Sequence, residues 1–193
     1  MNEYVKIFNG YRHAYGIADW TNATVDPESG KKKPDYRWTY EEFTDQIYQD
    51  HLTGEKSVGA QPTNENGDAK FGVIDIDPKA YEGFNKQFYL EAIKQYDLPL
   101  IPIESKSGGL HLYLFMAEFV PSTLVVSFLS NLLPLFNLKP DCEIFPKQTQ
   151  LTKDPETGIL KPGQFINLPY FESKKRRAMN IDGTFFTLEQ FIK

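Results

Sequence analysis

The sharpest patterning of apolar and polar positions lies in Phe71-Gly72-Val73-Ile74-Asp75-Ile76-Asp77, stopped by Pro78. An apolar pair followed by strict alternation predicts a mostly buried strand that turns acidic at its end. Leu110 to Phe115 alternates as well, with His111, Tyr113 and Phe115 on one side and Leu112 and Leu114 on the other. Leu100 to Glu104 predicts an edge strand, because Pro102 has no N–H to give to a ladder. Shorter extended pieces are Val58 to Pro62, Cys142 to Phe145 and Phe165 to Pro169. Helical spacing covers Thr39 to His51, ended by Gly54, and Tyr81 to Tyr96, with Phe84, Phe88, Leu90 and Ile93 as apolar positions. Ser122 to Phe136 is apolar and of helical length, and Phe185 to Ile192 forms a closing amphipathic segment. Residues 1–25 show no clear period, and residues 26–35 are turn-forming and charged, which predicts an exposed loop. This order of helices and strands predicts a mixed α/β or α+β domain around an antiparallel sheet, without repeats or linkers, and α+β is the class adopted once the motifs below are weighed.

Composition narrows the class only a little. The chain has 193 residues, 40% of them apolar and 15% aromatic, enough for a sizeable core. A net charge of −5 argues against broad nucleic-acid binding unless the basic residues gather on one face. The single cysteine, Cys142, excludes an internal disulfide and a cysteine-built zinc site. An N-terminus without an apolar signal core, and no apolar run of about 18 residues, lead to the expectation of a soluble cytoplasmic protein with no membrane partner.

Three segments carry candidate chemistry. Asp75 and Asp77, two apart on a strand, project to one side and present hard oxygen ligands suited to Mg2+ or Mn2+. Taken alone, such a pair reads more readily as a strand end meeting solvent. Ser105-Lys106-Ser107-Gly108-Gly109 supplies hydroxyls, a cation and glycines that let backbone amides approach an anion, and His111 opens the next strand. The bland reading is a tight turn and an ordinary histidine. Asp141 and Glu143 share a face of the Cys142 to Phe145 strand, and either acid completes a three-carboxylate set.

Together, Val73-Ile74-Asp75-Ile76-Asp77, Ser105 to His111 and Glu143 resemble the archaeo-eukaryotic primase superfamily, the primase–polymerases. The nearest likeness is to primase catalytic domains of phages, plasmids and other mobile elements. It extends to Glu143-Ile144-Phe145-Pro146-Lys147-Gln148, to Asn167-Leu168-Pro169-Tyr170-Phe171, and upstream to His51-Leu52-Thr53-Gly54 and Gly59-Ala60-Gln61-Pro62. The resemblance favours Glu143 over Asp141. It implies an RRM-like catalytic module (about 71–193) packed against an N-terminal α/β module (about 1–70), with Asp75, Asp77 and Glu143 holding two metal ions. Catalysis would involve those acids and His111. Ser105, Lys106, Ser107, Gly108, Gly109, His111 and Lys147 would bind an NTP or dNTP.

The resemblance further implies a DNA primase or DNA-directed polymerase working on a single-stranded DNA template in replication of a mobile element, in a bacterial or archaeal host. It implies extension of a 3′-hydroxyl, whereas priming would call on a helicase or helical priming module as partner. Lys174-Lys175-Arg176-Arg177 is the candidate contact to template phosphates. Arg12, Tyr15 and Trp20 are further candidate contacts, while Lys31, Lys32 and Lys33 read as a solvated loop. The competing expectations are a non-catalytic RRM-like binder of single strands or nucleotides, and a template-independent nucleotidyltransferase in a defence pathway.

Overall fold

A computed structural model describes residues 3–193 except 26, 28, 29, 31 and 107. The acidic strand is β4 (Asp68–Ile76), in the middle of a sheet whose order is β5-β6-β4-β7. Its partners are β5 (Leu100–Glu104), β6 (Leu110–Pro121) and β7 (Glu143–Phe145), all paired antiparallel. Helix α3 (Lys86–Gln95) links β4 to β5, and α4 (Ser122–Leu132) links β6 to β7. The order β4-α3-β5-β6-α4-β7 is thus a split βαβ arrangement, as the resemblance implied.

Alternation along β4 decides which face meets what. Ile74 and Ile76 belong to a core with Leu90, Ile93, Leu112 and Leu129, which lies beneath the two helices. Gly72 is the contact point: a Cβ there would stand 2.4 Å from Val125 Cγ1 of α4. Phe71, Val73, Tyr113 and Phe145 project to the opposite face and pack with Tyr4, Phe8 and Tyr48 of the N-terminal part. Phe8 makes edge-on contacts there with Phe71, Tyr113 and Phe115.

A further antiparallel sheet, ordered β10-β3-β1-β2, comprises β1 (Tyr15–Val25), β2 (Lys32–Thr39), β3 (Val58–Ala60) and β10 (Ile166–Asn167). Phe165 lies across Gly16 and Gly59, where any Cβ would come within 2.3 Å of its ring. The last strand brings the chain back from the far side of the molecule. His51, fully buried in α2 (Asp45–Thr53), fastens that return: Nε2 lies 2.8 Å from the Pro169 carbonyl oxygen, and Nδ1 accepts from Val58 N–H at 3.2 Å. Tyr4 donates to the same carbonyl at 2.6 Å. The remaining elements are α1 (Glu3–Ile7), a small hairpin of β8 (Thr152–Lys153) and β9 (Leu160–Lys161), and α5 (Leu188–Phe191).

Several expectations shift. Residues 32–35 belong to β2 rather than to a loop, and β1 emerges from a stretch without apparent period. Beyond its first residues β1 is largely exposed, and β2 is exposed along most of its length apart from Pro34, so no alternation shows. The helix expected from Thr39 starts at Asp45, since Thr39 is paired with Tyr15 in the sheet. The helix expected from Tyr81 starts only after Asn85, whose side chain caps Gln87 N–H at 3.0 Å. A 3-10 turn, Pro134–Phe136, replaces the last part of the long apolar helix, where Pro134 ends the regular pattern.

Candidate active site

Register assembles the site. Asp75 sits opposite His111 on one neighbouring strand and opposite Glu143 on the other, so the three stand in one row across β6, β4 and β7. That row is the polar continuation of the face that carries Phe71, Val73, Tyr113 and Phe145. His111 is buried, and its Nε2 lies 3.2 Å from Asp75 Oδ1. Asp77, just past the strand end, accepts Lys79 N–H at 3.0 Å and so caps the 3-10 turn Pro78–Ala80. Glu143 is exposed and ion-paired with Lys147, whose ammonium also lies 5.5 Å from the Phe145 ring centre.

These acids open into a cavity of about 730 Å3 lined also by Ser105, Lys106, Asn167 and Arg176. Asp141 is exposed and is not among its lining residues. The donor set suits a hard divalent cation, being carboxylate oxygens on rigid strands. Among the described residues, however, no three acidic, histidine or cysteine side chains stand close enough to grip an ion together. Asp75 is turned to His111, Glu143 to Lys147 and Asp77 to the Lys79 amide.

The serine–glycine turn closes on itself. Ser105 N–H donates to Gly109 C=O at 3.0 Å, and Gly108 N–H to Ser105 C=O at 3.2 Å. Gly108 needs its glycine for a φ of +85° in open space; Gly109 needs its own for room, since a Cβ would stand 2.3 Å from the Ile76 carbonyl oxygen. The turn is thereby pressed against the strand end that carries Asp77. Lys106 reaches across to the first sheet and stands 3.6 Å from the centre of the Trp20 ring. Burial, and then the nearby Arg176 guanidinium, lower its pKa. Ser107 lies outside the described residues.

The basic run divides in a way its sequence does not announce. Lys174 and Lys175 are exposed and pair with Glu172, and Arg177 lies 4.5 Å over the Phe185 ring. Arg176 has φ +56° and turns inward, so that Nε and Nη2 are buried with no partner among the described residues. Burial lowers its pKa, and only phenols, those of Tyr4, Tyr113 and Tyr36, push it back up. The Tyr113 hydroxyl and Asn167 Oδ1 are likewise buried without partners. The free N–H groups of the buried guanidinium have the chemistry to bond an anionic oxygen.

Lys32 and Lys33 line the acidic cavity from β2, a placement that a loop reading of the stretch could not supply. Lys31 lies outside the described residues. Arg12 pairs instead with Asp45 at 3.3 Å, and Tyr15 donates to Glu41 at 3.4 Å; neither lines the cavity. Gln148 and Gln61 act as ties. Gln148 Oε1 accepts Gln164 N–H at 2.9 Å and Gln61 Nε2–H at 3.3 Å, holding the end of β7 to the first sheet's surroundings.

No helix among the described residues is long and apolar enough to cross a membrane. No curated protein matches the chain. The family model described as the archaeo-eukaryotic primase domain of TOTE conflict systems matches residues 6–191, which takes in both sheets and the whole row of acids, and the chain belongs to that family.

Proposed function

We propose that this domain is a metal-dependent nucleotidyltransferase that joins nucleoside triphosphates to a nucleic-acid 3′-end. The observation that carries the reading is the row of His111, Asp75 and Glu143, set by strand register beside a cavity that Lys32, Lys33, Lys79, Lys106 and Arg176 also line. Asp75, Asp77 and Glu143 would hold Mg2+ or Mn2+, which when bound would supply charge neutralisation at the attacking and leaving oxygens. The chain's own residues do the rest. Ser105 and Lys106 meet the polyphosphate from the turn, His111 from β6, Lys147 from just beyond β7, and Arg176 from the interior, where an anion would satisfy the buried guanidinium. The 3′-hydroxyl gives its proton to water as its oxygen bonds to the α-phosphorus, and the bond to the bridging oxygen breaks to release pyrophosphate.

Asp75→Ala and Asp77→Ala should each cut incorporation with Mn2+ by at least about 10³-fold while preserving the fold, as judged by circular dichroism. Retained incorporation in both variants would sink the reading. The family's description places its primase domain in conflict systems. That favours a defence setting over replication of a mobile element, and incorporation with and without a template strand separates templated from untemplated synthesis. Priming from two free nucleotides would need a helicase-linked or helical module as partner; extension would not.

A further inference from the structure

A second cavity, of about 530 Å3, opens on the other side of a wall made by Tyr36, Ser105, Lys106, Asn167 and Arg176. None of Asp75, Asp77 and Glu143 lines it. Glu104, the one acid among its described lining residues, is paired with Lys86 at 2.8 Å. Ala18 and Ser57 lie among its lining residues, buried and joined by a 3.0 Å hydrogen bond from Ala18 N–H to Ser57 C=O. Trp20, Tyr36 and Phe171 also line it, and Trp20 and Tyr36 remain 44% and 49% exposed. Lys106 covers one face of Trp20. Lys174, Lys175 and Arg177 complete the lining.

Ala18 pairs with Tyr36 across the strands and Trp20 stands two residues further along β1, so one small and two aromatic side chains share a sheet face, and the cations alongside favour a ring attached to phosphates. We propose that this cavity is a slot for one unstacked nucleobase of a single-stranded nucleic acid, with Trp20 and Tyr36 as its stacking surfaces. This rests on the nucleotidyl-transfer reading for the identity of the strand. A base in a duplex would have to leave its pair and its stack to enter, whereas a single strand gives up much less. Lys174, Lys175 and Arg177 add three charges to the lining, enough for several phosphates of one strand. Glu172, the present partner of Lys174 and Lys175, makes surface pairings of little worth that a phosphodiester can replace.

The chain has two tryptophans, so Trp38→Phe leaves Trp20 as the sole reporter. Titration with oligothymidylate, without metal or nucleotide, should quench Trp20 saturably. The logarithm of the binding constant should fall with the logarithm of salt concentration with a slope of about −2, for roughly three phosphate contacts. Ala18→Leu, which fills the slot, should weaken binding at least about tenfold at an unchanged melting temperature. If leucine disturbs β1, Trp20→Leu tested by anisotropy of a labelled oligonucleotide should show the same loss. Wild-type affinity in the folded variants would overturn the proposal, as would a nucleoside triphosphate that alone quenches Trp20 as fully as the oligonucleotide. Asp75→Ala should leave the Trp20 signal intact, so failure of the slot and failure of the nucleotidyl-transfer reading are separate results.

Discussion

Arg176 is held in the interior with no carboxylate beside it among the described residues, and removing such a group relieves the fold of an uncompensated burial. Arg176→Met keeps most of the volume and should leave the thermal midpoint unchanged or raised, while kcat/KM for incorporation falls at least about 10²-fold. A large fall in midpoint with a matching loss of activity would make the residue structural instead. His51 behaves in the opposite sense. Burial is the main cause that lowers its pKa to about 3, against an ordinary value near 6.5, with Arg176 adding to it. The unfolded chain therefore binds a proton that the folded chain refuses throughout that window. Stability is fully present above about pH 6.5 and declines as pH falls, by up to about 1.4 kcal/mol per pH unit. Denaturant titrations between pH 6.5 and 4.5 should show that slope, and His51→Gln should lack it. Sequence alone marks His51 as part of a motif but does not reveal that it serves as a tie between segments 118 residues apart.

At the level of elements, the turn at 105–109 and the end of β4 act as one piece. Gly109→Ala forces a Cβ against the Ile76 and Pro78 atoms, so it should move the Asp77 end. We expect incorporation to drop about 10²-fold, with a stability loss of about 2 kcal/mol or more. Gly108→Ala meets open space and pays only for its positive φ, about 1–2 kcal/mol, with activity largely kept. Assaying the two side by side checks the contact. The acidic strand and its neighbours were legible because alternation in a half-buried strand is local: Ile74 and Ile76 go one way, and Val73 and Asp75 go the other. The first sheet was not, because Lys32 to Arg37 are polar on both sides and their pairing with β1 is set by distant contacts. Arg176 was hidden for another reason. Its neighbours in a run of four cations face outward, and only a left-handed backbone turns this one inward.

Across the whole molecule, the overall charge of −5 conceals a division of labour. Acids gather where the three strands align, and cations stand around them and in the second cavity. The family match, over residues 6–191, takes in both sheets, so both belong to the family's plan. The returning strand β10 gives that plan an order in time. Its partner β3 cannot be covered, nor the Pro169 carbonyl offered to Tyr4 and His51, before residues 166–169 have been made. The first 60 residues must therefore wait through most of synthesis with part of their eventual interior uncovered. A fragment of residues 1–70 should exchange its amide hydrogens freely and gain protection only when residues 71–193 are supplied. Protection in the isolated fragment would show that it folds first and is merely joined later. On the ribosome, this leaves the amino end of the chain the longest exposed and the most in need of shelter.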